Sequence, residues 1–279
     1  MHTITIGFSP CPNDTFIFDA LIHNKIDTKN IRFVPYIADV EELNVLALQG
    51  KLQCTKLSFH AFAHCHSHYV ILDSGSALGF NNGPLFICKQ GNRDSLSTQS
   101  RIALPGENTT AHLLFSIAYP HYTNKIQMLF SDIEHAIATK QVDAGVIIHE
   151  NRFTYAEHGF EKILDLGTFW QQKTQYPIPL GTIAIHKNVP YQIAQTVNEC
   201  IRESILFALA HKDSSKQFIC KHAQNLADDV IKKHINLFVN DFSVDLGKTG
   251  KKAIQKLYSE AALSGSIPPI PLDSLFLNM

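Results

Sequence analysis

The stretch Thr3-Ile4-Thr5-Ile6-Gly7-Phe8-Ser9-Pro10-Cys11-Pro12-Asn13-Asp14-Thr15 decides the fold class. Its first six residues alternate polar and apolar, as a half-buried β-strand does. Ser9-Pro10-Cys11-Pro12 ends that strand, because proline donates no N–H to a ladder and fixes φ. Asn13 and Asp14 are placed to cap a helix running to about His23. Strand, rigid turn and helix in close succession open an α/β unit.

The same alternation continues outward from that stretch. Ile31 to Ile37 reads as a second strand. Asp39 opens a helix, with Glu42 three residues on as in a capping box. Val40, Leu43, Leu46 and Ala47 share one face of it, and Gly50 suits its left-handed end. Cys54 to Leu57, Tyr69 to Leu72, Pro84 to Cys88, Arg101 to Leu104, Ile126 to Phe130, Asp143 to Ile148 and Gly181 to His186 are further strands. Helices are expected from Thr109 or Thr110 to about Tyr119 and from Asp132 to about Lys140. Four more follow near 190–211, 214–223, 227–239 and 245–263. Ile267-Pro268-Pro269-Ile270-Pro271 cannot continue a helix and is expected to pack as an extended strap.

The chain has 279 residues, too many for one small core and suited to two domains of roughly 100–150 residues each. No linker separates them, so a discontinuous layout is expected. Residues 1–88 with 185–279 form one lobe, and 89–184 form the other. The crossings are placed near 84–90 and 179–187, where extended runs lie beside proline. A ligand cleft then falls between the lobes. This α/β layout resembles the type II periplasmic binding proteins, two lobes around a cleft.

Composition narrows the function. Lys+Arg is 24 and Asp+Glu is 25, so the formal net charge is -1. That balance shows no basic excess of the kind nucleic acids attract. No apolar run approaches the roughly 20 residues that span a bilayer. The N-terminus lacks the basic region and apolar stretch of a signal peptide, and a cytoplasmic location is expected. Cys11, Cys54, Cys65, Cys88, Cys200 and Cys220 are scattered without a Cys-x-x-Cys pair, as reduced thiols would be. There is no Gly-x-Gly-x-x-Gly, P-loop or Gly-x-Ser-x-Gly elbow, which argues against dinucleotide, ATP and hydrolase chemistry.

In open α/β sheets, ligands bind beyond the carboxyl ends of strands. His149 directly follows the apolar run Gly145-Val146-Ile147-Ile148. An imidazole there suits a general base at neutral pH, and equally a structural histidine or a helix cap. Glu107-Asn108-Thr109-Thr110-Ala111 places a helix start after a Pro-Gly turn. Its free N–H groups and hydroxyls could hold a substrate carboxylate, or Thr109 could simply cap the helix. Lys56-Leu57-Ser58 ends a strand with a cation and a hydroxyl that could hold the same carboxylate, or lie on the surface. Cys11 lacks a legible partner base, so a nucleophilic role is not expected. His60 and His64 are spaced as two ligands on one helical face. Nothing completes a tetrahedral set, and surface histidines in His60–His68 are the simpler reading, with no metal expected.

Together these segments resemble the 1,4-dihydroxy-6-naphthoate synthases of menaquinone biosynthesis, relatives of the chorismate dehydratases. The resemblance rests on Gly7–Phe16, Asp39–Asn44, Thr55–Ser58, Gly83–Leu85, Thr109–Ala111, Ile147–Glu150, Arg152–Tyr155 and Pro179–Gly181. It extends over nearly the whole chain. It implies a two-lobed lyase without metal or organic cofactor that acts on cyclic dehypoxanthine futalosine. It further implies that His149 accepts a proton, that Lys56, Leu57 and Ser58 bind substrate, and that Thr110 and Ala111 do so with Thr109 beside them. Dehydration of chorismate, or solute binding without chemistry, remain the alternatives.

Overall fold

The computed structural model describes residues 1–149, 151–223 and 226–277. Strands and helices alternate from the first residues. β1 (His2–Phe8), α1 (Pro12–Ile22), β2 (Ile31–Ile37), α2 (Val40–Leu48), β3 (Cys54–Ser58) and α3 (Phe59–Cys65) lead to β4 (Tyr69–Ile71) and β5 (Ala77–Gly79). The middle holds β6 (Leu85–Lys89), β7 (Ile102–Leu104), α4 (Thr110–Ala118), β8 (Lys125–Gln127), α5 (Ile133–Ala138), β9 (Ala144–Ile147), α6 (Asn151–Thr154), β10 (Phe160–Asp165) and α7 (Leu166–Thr174). After β11 (Ile178–His186) come α8 (Tyr191–Ala210), α9 (Lys216–His222), α10 (Asp228–Phe238), α11 (Asp241–Val244) and α12 (Gly247–Leu263).

Two sheets result. The first runs β2-β1-β3-β11-β4, with β5 also paired to β11; the second runs β10-β6-β9-β7-β8. β1 is parallel to β2 and β3, whereas β11 is antiparallel to β3. In the second sheet β7 is parallel to β8 and β9, whereas β6 is antiparallel to β9. Parallel pairs need helical crossovers, which cover the sheet faces and let strands such as β3 and β9 be buried throughout.

The expected lobe limits at 88 and 184 fall inside β6 and β11. Sheet membership keeps each strand whole: β6 lies in the second sheet and β11 in the first. The chain therefore changes sheets just before Leu85 and just before Ile178. Gly83 makes the first change possible, since a Cβ there would sit 2.1 Å from the Gly167 backbone nitrogen.

Some local expectations change. Helix α1 starts at Pro12 with Cys11 as its N-cap, and Asp14 turns inward instead of capping. Asp39 does cap α2, accepting from Glu41 N at 2.8 Å. Glu42 closes no capping box and accepts from Tyr36 Oη at 2.7 Å. The strand expected to reach Phe130 stops at Gln127, and Phe130–Asp132 forms a 3-10 turn.

Three apolar clusters hold these layers. One packs β1, α1 and α8 through Ile6, Phe8, Phe18, Val197 and Ile201. Another packs α5 on the second sheet through Ile133, Ile137, Ile87 and Ala103. The third includes residues of both sheets, among them Leu57, Phe59, Phe86, Leu104, Phe115, Trp170 and Tyr258. Each large side chain buried this way contributes about 1.5–3 kcal/mol. Among the described residues no helix is long and apolar enough to cross a membrane.

Candidate active site

One cavity, with about 790 Å³ of empty space when the solvent at its mouth is included, is lined from both sheets. β1 and the turn after it bring Ser9, Asn13 and Asp14. β3 brings Lys56, Leu57 and Ser58, and the N-terminus of α4 brings Thr109, Thr110 and Ala111. His149 follows β9, Arg152 stands on α6, and His234 and Phe238 stand on α10. The seven residues singled out from the sequence thus lie on one cavity wall or another. Glu150, part of the motif around His149, lies outside the described residues.

The strand ends explain the placement. β3 is buried along its length, and its last residues, Lys56, Leu57 and Ser58, face the cavity. Lys56 Nζ lies 2.8 Å from Asp14 Oδ1, with the two side chains 9% and 1% exposed. The other Asp14 oxygen accepts from Ser9 N at 3.1 Å and Ser9 Oγ at 2.7 Å. The Lys56 charge is therefore already partly committed within the protein. Ser58 Oγ accepts from Asn44 Nδ2 at 3.2 Å, which leaves its own O–H to donate.

The helix start at α4 is likewise partly committed. Thr109 Oγ1 caps α4 by accepting from His112 N at 3.2 Å, and donates to Gly106 O at 2.9 Å. Thr110 Oγ1 accepts from Phe59 N at 2.9 Å, across from one sheet unit to the other. The start of α4 lies at the cavity, where the helix dipole favours an anion. Gly106 has φ 121°, and a Cβ there would meet the Glu41 carboxylate at 2.8 Å. Glu41 Oε1 accepts from Asn108 N at 3.0 Å, a second link between the two units.

His149 has φ 56°, a left-handed conformation that costs a non-glycine residue about 1–2 kcal/mol. Such strain persists where the surroundings hold it. Its Nδ1 lies 3.4 Å from Cys11 Sγ, and its ring meets Phe130 edge-on at 4.8 Å. No base for Cys11 is visible in the sequence; the fold brings His149, 138 residues away, beside it.

His234 was not legible as a site residue. It is 1% exposed and neither ring nitrogen has a partner among the described residues. Its ring lies 6.3 Å from that of His149, nearly parallel at 19°. Burial first, then His149 and Lys56, push its pKa down to about 3, so the ring is neutral at ordinary pH. The available signal was a polar residue inside the stripe Ile231, His234, Phe238. Asn82 was missed too; it is 2% exposed and both amide atoms lack partners among the described residues. Arg152 pairs with Asp165 at 2.9 Å and donates to Asn81 O and Gly83 O, fastening the crossing segment.

In His60–His68, His64 and His68 are exposed and His66 is half-buried, as expected of surface histidines, and only His60 departs from that reading. His60 is buried in α3, with His64 and His112 rings 5.3 and 5.6 Å away. Burial and those neighbours lower its pKa to about 3. Among the described residues no group of three His, Cys, Asp or Glu could hold a metal ion.

Fold and cavity together define a two-lobed α/β protein of the periplasmic-binding-protein type, with a cavity lined from both sheets. A ligand-binding component of an ABC-type import system from Staphylococcus aureus shares this fold at TM-score 0.74 and 10% identity, covering 99% of this chain and 96% of that one. An Archaeoglobus fulgidus crystal structure is nearer, at TM-score 0.89 and 32% identity, covering 95% and 99%. The family model described as menaquinone biosynthesis matches residues 4–263. A 1,4-dihydroxy-6-naphthoate synthase of Thermus thermophilus is 40% identical over 97% of this chain and 98% of its own. The Streptomyces coelicolor protein of the same name is 34% identical over 98% of each. The chain belongs to this menaquinone-biosynthesis family of 1,4-dihydroxy-6-naphthoate synthases.

Proposed function

We propose that the chain is a cytoplasmic lyase that converts cyclic dehypoxanthine futalosine to 1,4-dihydroxy-6-naphthoate, with His149 as general base. The observation that carries this reading is the position of His149 on the cavity shared with the α4 N-terminus and β3. The two sheets act as two lobes, one built from residues before Leu85 and from Ile178 onward, the other from the chain between.

The substrate carboxylate docks on the N–H groups at the start of α4, where Thr110 and Ala111 line the cavity. Ser58 donates its O–H, and Lys56 adds positive charge from its pair with Asp14. Leu57 supplies an apolar wall. With Nδ1–H directed at Cys11 Sγ, the Nε2 lone pair of His149 faces the substrate and takes a proton from it. Fragmentation and aromatisation follow. A general base of this kind contributes about 10²–10⁴-fold, and fixed orientation in the cavity contributes further.

His149→Ala is expected to bind substrate and to form product at least about 100-fold more slowly. Naphthoate absorbance measures the rate. Near-wild-type turnover would remove His149 from the mechanism, and turnover of chorismate alone by the wild type would replace the proposed reaction.

A further inference from the structure

We propose that His234 donates its imidazole N–H to an uncharged oxygen of the substrate, beside the atom from which His149 takes a proton, and that Asn82 binds a second such oxygen. This rests on the reading of His149 as the base and adds to it a second functional wall.

The argument begins with what the cavity leaves unmatched. A buried polar group without a hydrogen bond costs free energy, so those that persist at a cavity are commonly matched by what enters it. His234 and Asn82 are 1% and 2% exposed, both line the cavity, and all four of their side-chain N and O atoms lack partners among the described residues. They lie on the same side. Helix α10 packs on β5, and the Asn82 amide lies over Gly79 at the end of β5, 2.5 Å from where a Cβ would be.

Their chemistry selects a ligand class. A neutral imidazole offers one donor and one acceptor, and an amide offers both as well. A carboxylate offers only acceptors, and so fits the donor-only start of α4 instead. Hydroxyl and carbonyl oxygens fit the mixed pair. The cavity therefore suits a cyclic carboxylate whose far side carries uncharged oxygens.

The ring of His234 lies nearly parallel to that of His149 with centroids 6.3 Å apart. An oxygen held by His234 is thus one or two bonds from an atom that His149 reaches. When a proton next to a carbonyl passes to His149, the C–H bonding pair moves into the carbonyl and its oxygen gains negative charge. The His234 N–H holds that charge without giving up its proton, and no bond to the ring forms. A neutral imidazole suits this role because it donates without carrying a competing charge beside Lys56.

The test has two arms on the full chain, with His234→Phe removing both nitrogens, His234→Gln keeping a donor and an acceptor, and Asn82→Leu removing the amide. In the binding arm, calorimetry compares 1,4-dihydroxy-6-naphthoate with 2-naphthoate, which shares the carboxylate and lacks the hydroxyls. The wild type is expected to prefer the hydroxylated ligand about tenfold. His234→Phe and Asn82→Leu abolish that preference and leave 2-naphthoate affinity unchanged, while His234→Gln keeps it. In the kinetic arm, His234→Phe lowers kcat on cyclic dehypoxanthine futalosine about 10²–10³-fold with a smaller change in KM, and His234→Gln restores at least tenfold. Wild-type failure to turn over that substrate would sink the proposed function alone, and the binding arm would then decide the role of His234. A hydroxyl preference that survives His234→Phe, or wild-type kcat in that variant while His149→Ala is slow, overturns the inference.

Discussion

Replacing Lys56 by Met takes the cation away from a carboxylate that solvent cannot reach. Asp14 is 1% exposed and sits 2.8 Å from Lys56 Nζ. At that distance and an effective dielectric near 20, the attraction is roughly 6 kcal/mol. Much of this offsets the desolvation of two charges, so the intact pair adds little net stability. Breaking it is another matter, because one buried charge is left behind, at about 3–5 kcal/mol. Here Asp14 still accepts from Ser9 N, Ser9 Oγ and Asn13 Nδ2. The expected loss therefore falls at the lower end, about 3 kcal/mol. Methionine keeps the apolar stem of the lysine, so packing adds little to the change. Urea unfolding followed by circular dichroism, on Lys56→Met, Asp14→Asn and the double variant, reads this directly. The double variant should be more stable than the two single losses combined would allow, by at least about 1 kcal/mol. A Lys56→Met chain within 1 kcal/mol of wild type, or strictly additive losses, would refute the reasoning.

Acid should weaken the fold before neutral pH is far behind. His60 and His234 titrate at about 3 when folded and near 6.5 when unfolded. Between those values the unfolded chain binds the protons and the folded chain does not, so stability rises with pH up to about 6.5 and is flat above it. At pH 5 each histidine costs about 2 kcal/mol; equal urea midpoints at pH 5 and 7.5 would contradict both burials. Gly83→Ala should cost about 1–3 kcal/mol and slow turnover, since its Cβ meets the Gly167 backbone at the crossing that Arg152 fastens. A thermal melt matching wild type would show that the crossing can yield.

The layers were readable where burial and sequence agree. Gly145–Ile148 is a continuous apolar run with a polar residue after it, and Cys54–Leu57 is a short mixed run bounded by polar residues; the buried strands β9 and β3 form there and deliver His149, Lys56 and Ser58. β10 left no such mark. It is an edge strand whose Phe160–Asp165 pattern mixes buried and half-exposed positions. Helix α7 begins Leu166-Gly167 and depends on the Asp165 side chain accepting from Gly167 and Thr168 N, a cap visible only once the strand before it is known. The inward turn of Asp14 was hidden because an aspartate after a proline reads as a cap. His234 was hidden because its neighbours at the site are supplied by the tertiary fold: His149 lies 85 residues earlier in the chain.

The apolar cluster shared by both sheets acts like the spine of a book. Helix α4 belongs by chain order to the second sheet, yet it packs on α3, α12 and β11 of the first, and Thr110 takes a hydrogen from Phe59 across the join. Prying the covers apart along that edge would wet Leu57, Phe59, Phe115 and Tyr258 at about 1.5–3 kcal/mol apiece.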